Sequence, residues 1–354
     1  MSFAPRVWSP DSSGPGSLSL REAYEQYYAP ELDAPERDGT RKAFRNMLAH
    51  WEARSENPRL EKISADDWKE LQRRLRKDGY PKSTVAKVGR HLRALLRRLG
   101  PATDRNPEGL GVLSVAPYIK IPKVPRTVPQ NVDTQSIDKL YAACDVARWP
   151  RIRDVLPSDF WRGLICAVYN LGPRTREIVH DGRDPTLGWL WRNYRPDNLR
   201  SGDLLSDGSG RPVCSIRFFR DKMDDELLLP VNSILQAHLA LIRTDRKAIF
   251  PVTKNDKSFY DQWRLIKTKA GLYVAGSDFP SFQGLRRTCQ SRWDRINPKF
   301  GDWILGHKRQ DVAGRFYENF SQDVADVCES LPQPEAFQAV FARRPRAGQR
   351  YLFE

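Results

Sequence analysis

The sequence lacks the residue patterns of a metal-bound, disulfide-bonded or membrane-spanning protein. Its five cysteines, Cys144, Cys166, Cys214, Cys289 and Cys328, lie far apart without a CxxC pair, and neither they nor the five histidines fall at metal-ligand spacing. That excludes a zinc ribbon and a disulfide framework, leaves the cysteines as reduced core fillers, and predicts no metal and no cofactor. No apolar run approaches the roughly 20 residues needed to span a bilayer. The start, "MSFAPRVWSPDSSGPGSLS", has no apolar signal core and reads over 1–17 as a disordered Pro/Ser/Gly lead-in. The expectation is no membrane partner and a cytoplasmic location, at the nucleoid in a bacterial or archaeal host.

What the chain has in excess is positive charge. Lys and Arg number 59 against 44 Asp and Glu, a formal net charge of +15 over 354 residues. Clustered cations gain most by releasing counterions from a phosphate backbone, so the expected partner is nucleic acid. The length predicts about two domains.

A helical core DNA-binding domain is expected over 18–110, its pattern helical throughout from Leu18 to about Gly100. In "STVAKVGRHLRALLRRLG", Val85, Val88, Leu92, Leu95, Leu96 and Leu99 recur at helical spacing, with Ser83 or Thr84 as the expected cap and Gly100 as the stop. The other side carries Lys87, Arg90, Arg93, Arg97 and Arg98 with no acidic residue between them, which suits a DNA backbone or groove. "LREAYEQYYAPEL", "TRKAFRNMLAHWEARS" and "SADDWKELQRRLRKDG" read as companion helices of a small bundle. Residues 101–130 break the pattern, and 111–128 is expected as a Pro-rich basic linker. "APYIKIPKVPRTVPQN" holds four prolines in sixteen residues, which reads as an extended linker whose Lys120, Lys123 and Arg126 lie along a duplex.

A second domain is expected over 129–322, with short amphipathic helices in 323–354. "DTQSIDKLYAACDVA" restarts a helix capped by Asp133 or Thr134. "WRGLICAVYNLG" is a buried helix ending at Gly172, and "VCSIRFFR" and "ELLLPV" are strands of a hairpin around "DKMDD". The fold class is therefore mainly α with a small antiparallel sheet. Four segments of this domain carry chemistry. "NLGPRTREI" places Arg174 after the buried helix, with Glu177 three residues on to hold its guanidinium. Lys222 sits at the hairpin tip. "SFQGLRRTCQSRW" opens a helix bearing Arg286. "ILGHKRQDVAGRFYENF" supplies His307 and Tyr317, a phenol that becomes a nucleophile only in strongly positive surroundings.

In this order the four segments resemble the tyrosine recombinases, the phage integrase family of site-specific DNA recombinases. Arg174, in a Gly-x-Arg-x-x-Glu context, is similar to the family's first catalytic arginine, Lys222 to its hairpin lysine, and Arg286 to the arginine of its His-x-x-Arg box. Leu-Gly-His at 305–307 and Tyr317 match its last two elements. Where the box begins with histidine this chain has Gln283, whose amide donates a hydrogen bond but takes no proton.

The resemblance implies a helical core-binding domain and a mixed α/β catalytic domain enclosing double-stranded DNA, with self-assembly to a dimer and then a tetramer. It also implies docking of the 323–354 segment onto a neighbouring subunit. In the chemistry it implies, Tyr317 forms a 3′-phosphotyrosine, Arg174, Arg286 and His307 stabilise the charged phosphorane, and Lys222 protonates the leaving 5′ oxygen. The absence of a carboxylate cluster fits a metal-independent route. Two alternatives stay open: a DNA-binding protein of the same fold with impaired chemistry, for which Gln283 is the motive, and a type IB topoisomerase-like relaxing enzyme.

Overall fold

Two apolar periodicities build two separate cores, one on each side of a division between Thr127 and Val128. The computed structural model describes residues 17–34, 37–125, 130–179, 188–195, 213–220, 225–253, 257–307 and 321–343. Among the described residues no helix is long and apolar enough to cross a membrane.

The first unit is helical: α1 (Leu20–Ala23), α2 (Asp38–Arg54), α3 (Ala65–Lys77) and α4 (Lys82–Leu99). Ser64 and Asp67 close a capping box at the start of α3. Helix α4 buries Val85, Val88, Leu92, Leu95, Leu96 and Leu99, but its cap is not Ser83 or Thr84. Pro81 takes that place, its carbonyl accepting from Thr84 and Val85 N–H at 2.9 and 3.1 Å, so both expected caps lie inside the first turn. Proline's fixed φ and missing N–H suit a helix entry, where that donor has no partner to lose. Gly89 sits in the middle of α4 because the buried indole of Trp68 crosses there: a Cβ would lie 2.4 Å from Trp68 Cζ2 and 3.1 Å from Ile121 Cδ1.

The stretch read as a linker over 111–128 is only partly one. Leu110 and Leu113 N–H donate to the carbonyls of Arg98 and Leu99, and Trp68 Nε1–H donates to Lys120 O at 2.9 Å. Leu113 and Ile119 are buried in the helical core. Proline spacing reports that such a segment is not helical, but not whether its apolar residues pack.

The second unit comprises α5 (Thr134–Ala143), α6 (Pro157–Leu171), α7 (Thr175–Ile178), α8 (Ser233–Leu241), α9 (Lys257–Lys269), α10 (Phe282–Ile296), α11 (Phe300–Ile304), α12 (Ser321–Val327) and α13 (Glu335–Gln338) around a small antiparallel sheet. Asp133 caps α5, accepting from Ser136 N–H. The hairpin pairs β2 (Ser215–Arg220) with β3 (Asp225–Pro230), Ile216 opposite Leu229. A third strand, β1 (Tyr194–Arg195), joins β2; two residues are too few to show strand periodicity in a sequence. Helix α6 is buried along most of its length, packing among α8, α10 and an aromatic cluster in which Trp161 and Trp263 stack at 6.1 Å. All five cysteines are free and buried.

The described part of the C-terminal stretch, residues 321–343, packs on its own unit. Phe337 is fully buried against Tyr141, Tyr169 and His238. Arg292 donates to Pro332 O at 2.5 Å, Gln333 donates to Asn170 Oδ1 at 2.8 Å, and Arg343 pairs with Asp159. An apolar residue as large as Phe337 stabilises most where a core already waits for it. Residues 344–354 of the expected docking segment lie outside those described.

Two outcomes follow from this packing. Gly89→Ala gains helix propensity but overpacks against an indole pinned by its own hydrogen bond. Urea denaturation followed by circular dichroism is expected to show a loss of about 1–3 kcal/mol. His238 donates through Nδ1 to Ile234 O at 2.7 Å and accepts the Tyr141 hydroxyl at Nε2 at 2.8 Å, and burial pushes its pKa from 6.5 down to about 4. The unfolded chain takes up this proton below its ordinary pKa while the folded one refuses it until about 4. Stability is therefore full above about pH 6.5 and falls by up to about 3 kcal/mol as pH drops to about 4. A His238→Gln variant should lose that part of the slope in urea titrations at each pH.

Candidate active site

Arg174 enters the site through local geometry. Helix α6 ends at Gly172, whose φ of +58° is left-handed; Pro173 follows, and Arg174 caps the short α7. Glu177, at the third position of α7, reaches back so that its Oε2 accepts the Arg174 backbone N–H at 2.7 Å and its Oε1 accepts the guanidinium at 2.5 Å. The Glu177 side chain is 4% exposed and that of Arg174 25%. The carboxylate is thus a buried anchor, and the guanidinium lies at the edge of solvent.

Arg286 approaches the same carboxylate from α10, its Nη1 lying 3.6 Å from Glu177 Oε2. It is more enclosed than a bidentate grip on a ligand calls for. Its side chain is 4% exposed, Nη1 donates to Gly172 O, and Nη2 donates to Leu305 O at 3.2 Å. One cation therefore fastens the end of α6, the carboxylate of α7 and the residue two before His307.

His307 follows α11 through a left-handed Gly306 at φ +60°. Its Nδ1 lies 3.0 Å from Asp302 Oδ1, and the same oxygen accepts from Gln290 Nε2 at 3.1 Å. Asp302 and Gln290 were not expected from the sequence, although a carboxylate five positions before the histidine of a Leu-Gly-His turn was there to be read. Gln283 lies on the first turn of α10, exposed, one turn ahead of Arg286. Tyr317 and Lys222 lie outside the described residues. Among the described residues no group of three or more His, Cys, Asp and Glu is placed to hold a metal ion.

This chain is similar in structure to lambda integrase. A dimer of lambda integrase(75-356) bound to a COC′ core site matches with a TM-score of 0.58 at 14% identity, covering 82% of this chain and 94% of that one. A lambda integrase tetramer bound to a Holliday junction matches with a TM-score of 0.59 at 14% identity, covering 85% and 78%. The chain has the tyrosine recombinase fold. The Tn1549 transposon integrase (aa 82-397), in complex with circular intermediate DNA, matches with a TM-score of 0.55 at 13% identity, covering 87% of this chain and 98% of that one. By sequence, no protein-family model and no curated protein matches.

Within the recombinase fold, the basic residues of the first unit divide into two kinds. Lys87, Arg90, Arg93 and Arg97 are exposed along α4, as are Lys120 and Lys123 on the segment after it. Arg98 differs: both of its terminal arms and Nε are engaged, with Glu31 at 2.6 and 2.9 Å and with the Glu108 carbonyl. Its inclusion among groups facing DNA is corrected, because sequence separation hid the acid that neutralises it. Arg126 lies outside the described residues.

Glu177 is the shared counterion of two guanidiniums, so Glu177→Gln leaves a buried cation uncompensated. Chemical denaturation should show a loss of about 3 kcal/mol, whereas the same exchange at the exposed Glu61 should be close to neutral.

Proposed function

We propose that this chain is a site-specific DNA recombinase that cleaves and rejoins DNA through a 3′-phosphotyrosine, without a metal. The observation that carries this reading is the convergence of Arg174 and Arg286, 112 positions apart in the chain, on one buried carboxylate within the recombinase fold, with Leu305 of the Leu-Gly-His turn held by the same Arg286. Chance ion pairing does not favour gathering two cations, one of them buried, on one anion, because their mutual repulsion must be offset. A bound phosphate diester would supply that offset.

In this reading Arg174, at the solvent edge, donates to a non-bridging oxygen, and Arg286 adds fixed positive charge from beneath in a low-dielectric setting. Such preorganised charge stabilises the phosphorane more than the ground state, each donor contributing about 3 kcal/mol. Tyr317 attacks phosphorus and Lys222 protonates the departing 5′ oxygen. Lys87, Arg90, Arg93, Arg97, Lys120, Lys123 and Arg126 contact the duplex backbone. The lambda integrase structures include a dimer on a core site and a tetramer on a Holliday junction, and the same assembly is proposed for this chain on its own DNA. The exposed Gln283 gives the binding-only alternative its one observation.

The test begins with duplexes that the protein selects from a random-sequence pool, rebuilt with a nick that traps cleavage. The wild-type chain is expected to yield a covalent adduct on a denaturing gel, Tyr317→Phe none, and Arg174→Ala about 10²–10³-fold less. Tight, selective binding with no adduct would favour the binding-only reading. Relaxation of any supercoiled plasmid without a preferred sequence would favour a topoisomerase-like enzyme.

A further inference from the structure

His307 is held by the capping motif that ends α11. Leu305 is the last right-handed residue, Gly306 is left-handed, Gly306 N–H donates to Trp303 O at 2.9 Å, and His307 N–H donates to Asp302 O at 2.8 Å. This is the Schellman arrangement, which brings together the side chains of two residues five apart, ordinarily as an apolar pair. Here they are a carboxylate and an imidazole, 3.0 Å apart. A carboxylate only accepts, so Nδ1 carries the hydrogen and the neutral ring keeps its lone pair on Nε2. Gln290 donates to the same carboxylate oxygen from α10, the helix that bears Gln283 and Arg286. The nearby Asp294 is engaged otherwise, accepting Gly301 N–H at 3.1 Å.

Among the described residues, the carboxylate at the centre of the site, Glu177, is committed to Arg174 and Arg286. Gln283 cannot take a proton, and His238, the other described histidine of this unit, is 1% exposed with both ring nitrogens engaged. We infer that Asp302 is the positioning residue of His307, and that the Asp302–His307 pair presents the proton-accepting nitrogen that position 283 lacks. The inference rests on the strand-cleaving reading above. In the forward step the proton of the attacking hydroxyl passes to Nε2 and its oxygen bonds phosphorus. The phosphorus–5′ oxygen bond breaks, and the leaving oxygen takes the proton of the lysine ammonium. Asp302 opposes the charge of the imidazolium so formed, the division of labour by which a carboxylate-held histidine acts as a base elsewhere. On religation both protons return.

The test uses the full chain labelled with ¹⁵N-histidine, with His307→Gln assigning the signal. His307 is expected as the Nδ1–H tautomer in the wild type. In Asp302→Ala it should shift toward the Nε2–H form that free imidazole prefers, while the signals of the other histidines hold still and report an intact fold. An Nε2–H tautomer in the wild type, or a tautomer unmoved by Asp302→Ala, would overturn the positioning role. These spectra decide it whether or not DNA is cut, so failure of the cleavage reading is told apart by the wild-type chain giving no adduct. On the nicked substrate, Asp302→Ala and His307→Gln should each lower cleavage by about 10²-fold, and Gln283→His should restore at least tenfold of that loss in the His307→Gln background. Full cleavage by His307→Gln, or no recovery from Gln283→His, would remove the proton-acceptor assignment.

Discussion

A single buried cation organises the second unit. An isolated guanidinium in a protein interior is costly unless its donors and charge are answered. Arg286 is answered by two backbone carbonyls, of Gly172 and Leu305, and by Glu177. Each partner belongs to a different segment, so satisfying the one cation fixes where the three segments meet. Gly172 is constrained twice over: its φ is left-handed, and a Cβ there would lie 2.5 Å from Leu305 Cδ2 and 3.1 Å from Cys289 Sγ. The close approach that lets Arg286 reach both carbonyls is open to glycine alone.

Beneath this junction lies a second polar layer that ties it to the C-terminal stretch. Asn170, two residues before Gly172, takes hydrogen bonds from Asn232 and Gln333 on its side-chain oxygen, and from Trp293 and Cys289 on its backbone oxygen. Arg292 lies over the Tyr169 ring at 3.8 Å and donates to the carbonyls of Tyr169 and Pro332. A buried network of this kind narrows the geometry, since a shift leaves further donors or acceptors unpaired in a low dielectric; Arg292 Nε and Gln333 Oε1 already lack a hydrogen-bond partner among the described residues. The residues around 332 are thus tied to the end of α6, from which Gly172 and Arg174 follow.

How much of this was legible in the sequence depends on the range of the signal. The α4 periodicity, the buried run ending at Gly172, the Asp133 cap and the hairpin strands are local patterns, and they are found in the structure at or within a few residues of where the sequence puts them. The order of arginines and the Leu-Gly-His turn were readable because each sits in a short motif. Pairings across long separations were not. Glu31 neutralising Arg98, Trp68 crossing Gly89, and Phe337 entering the core beside His238 each join residues whose neighbours in the chain give no hint of the partner. Asp302 stands between the two cases, since the capping geometry that brings it to His307 follows from a single glycine.

The same distinction decides what the positive charge means. A net charge of +15 is compatible with cations that the chain neutralises itself and cations that await an outside anion, and only the folded arrangement separates them. Arg98 and Arg286 have their acids within the chain. Lys87, Arg90 and Arg93 recur every three residues on the exposed side of α4 with no ion-pair partner among the described residues. Unscreened repulsion along such a row works against the helix that carries it, by a few tenths of a kcal/mol for each close like-charged pair. Selection for stability alone would intersperse acids there, as it does on α3, where Glu70 pairs with Arg73 and Arg74. The proposed contact with a polyanion therefore rests on the acid-free row of α4 beside α3 with its paired acids, more than on the total charge.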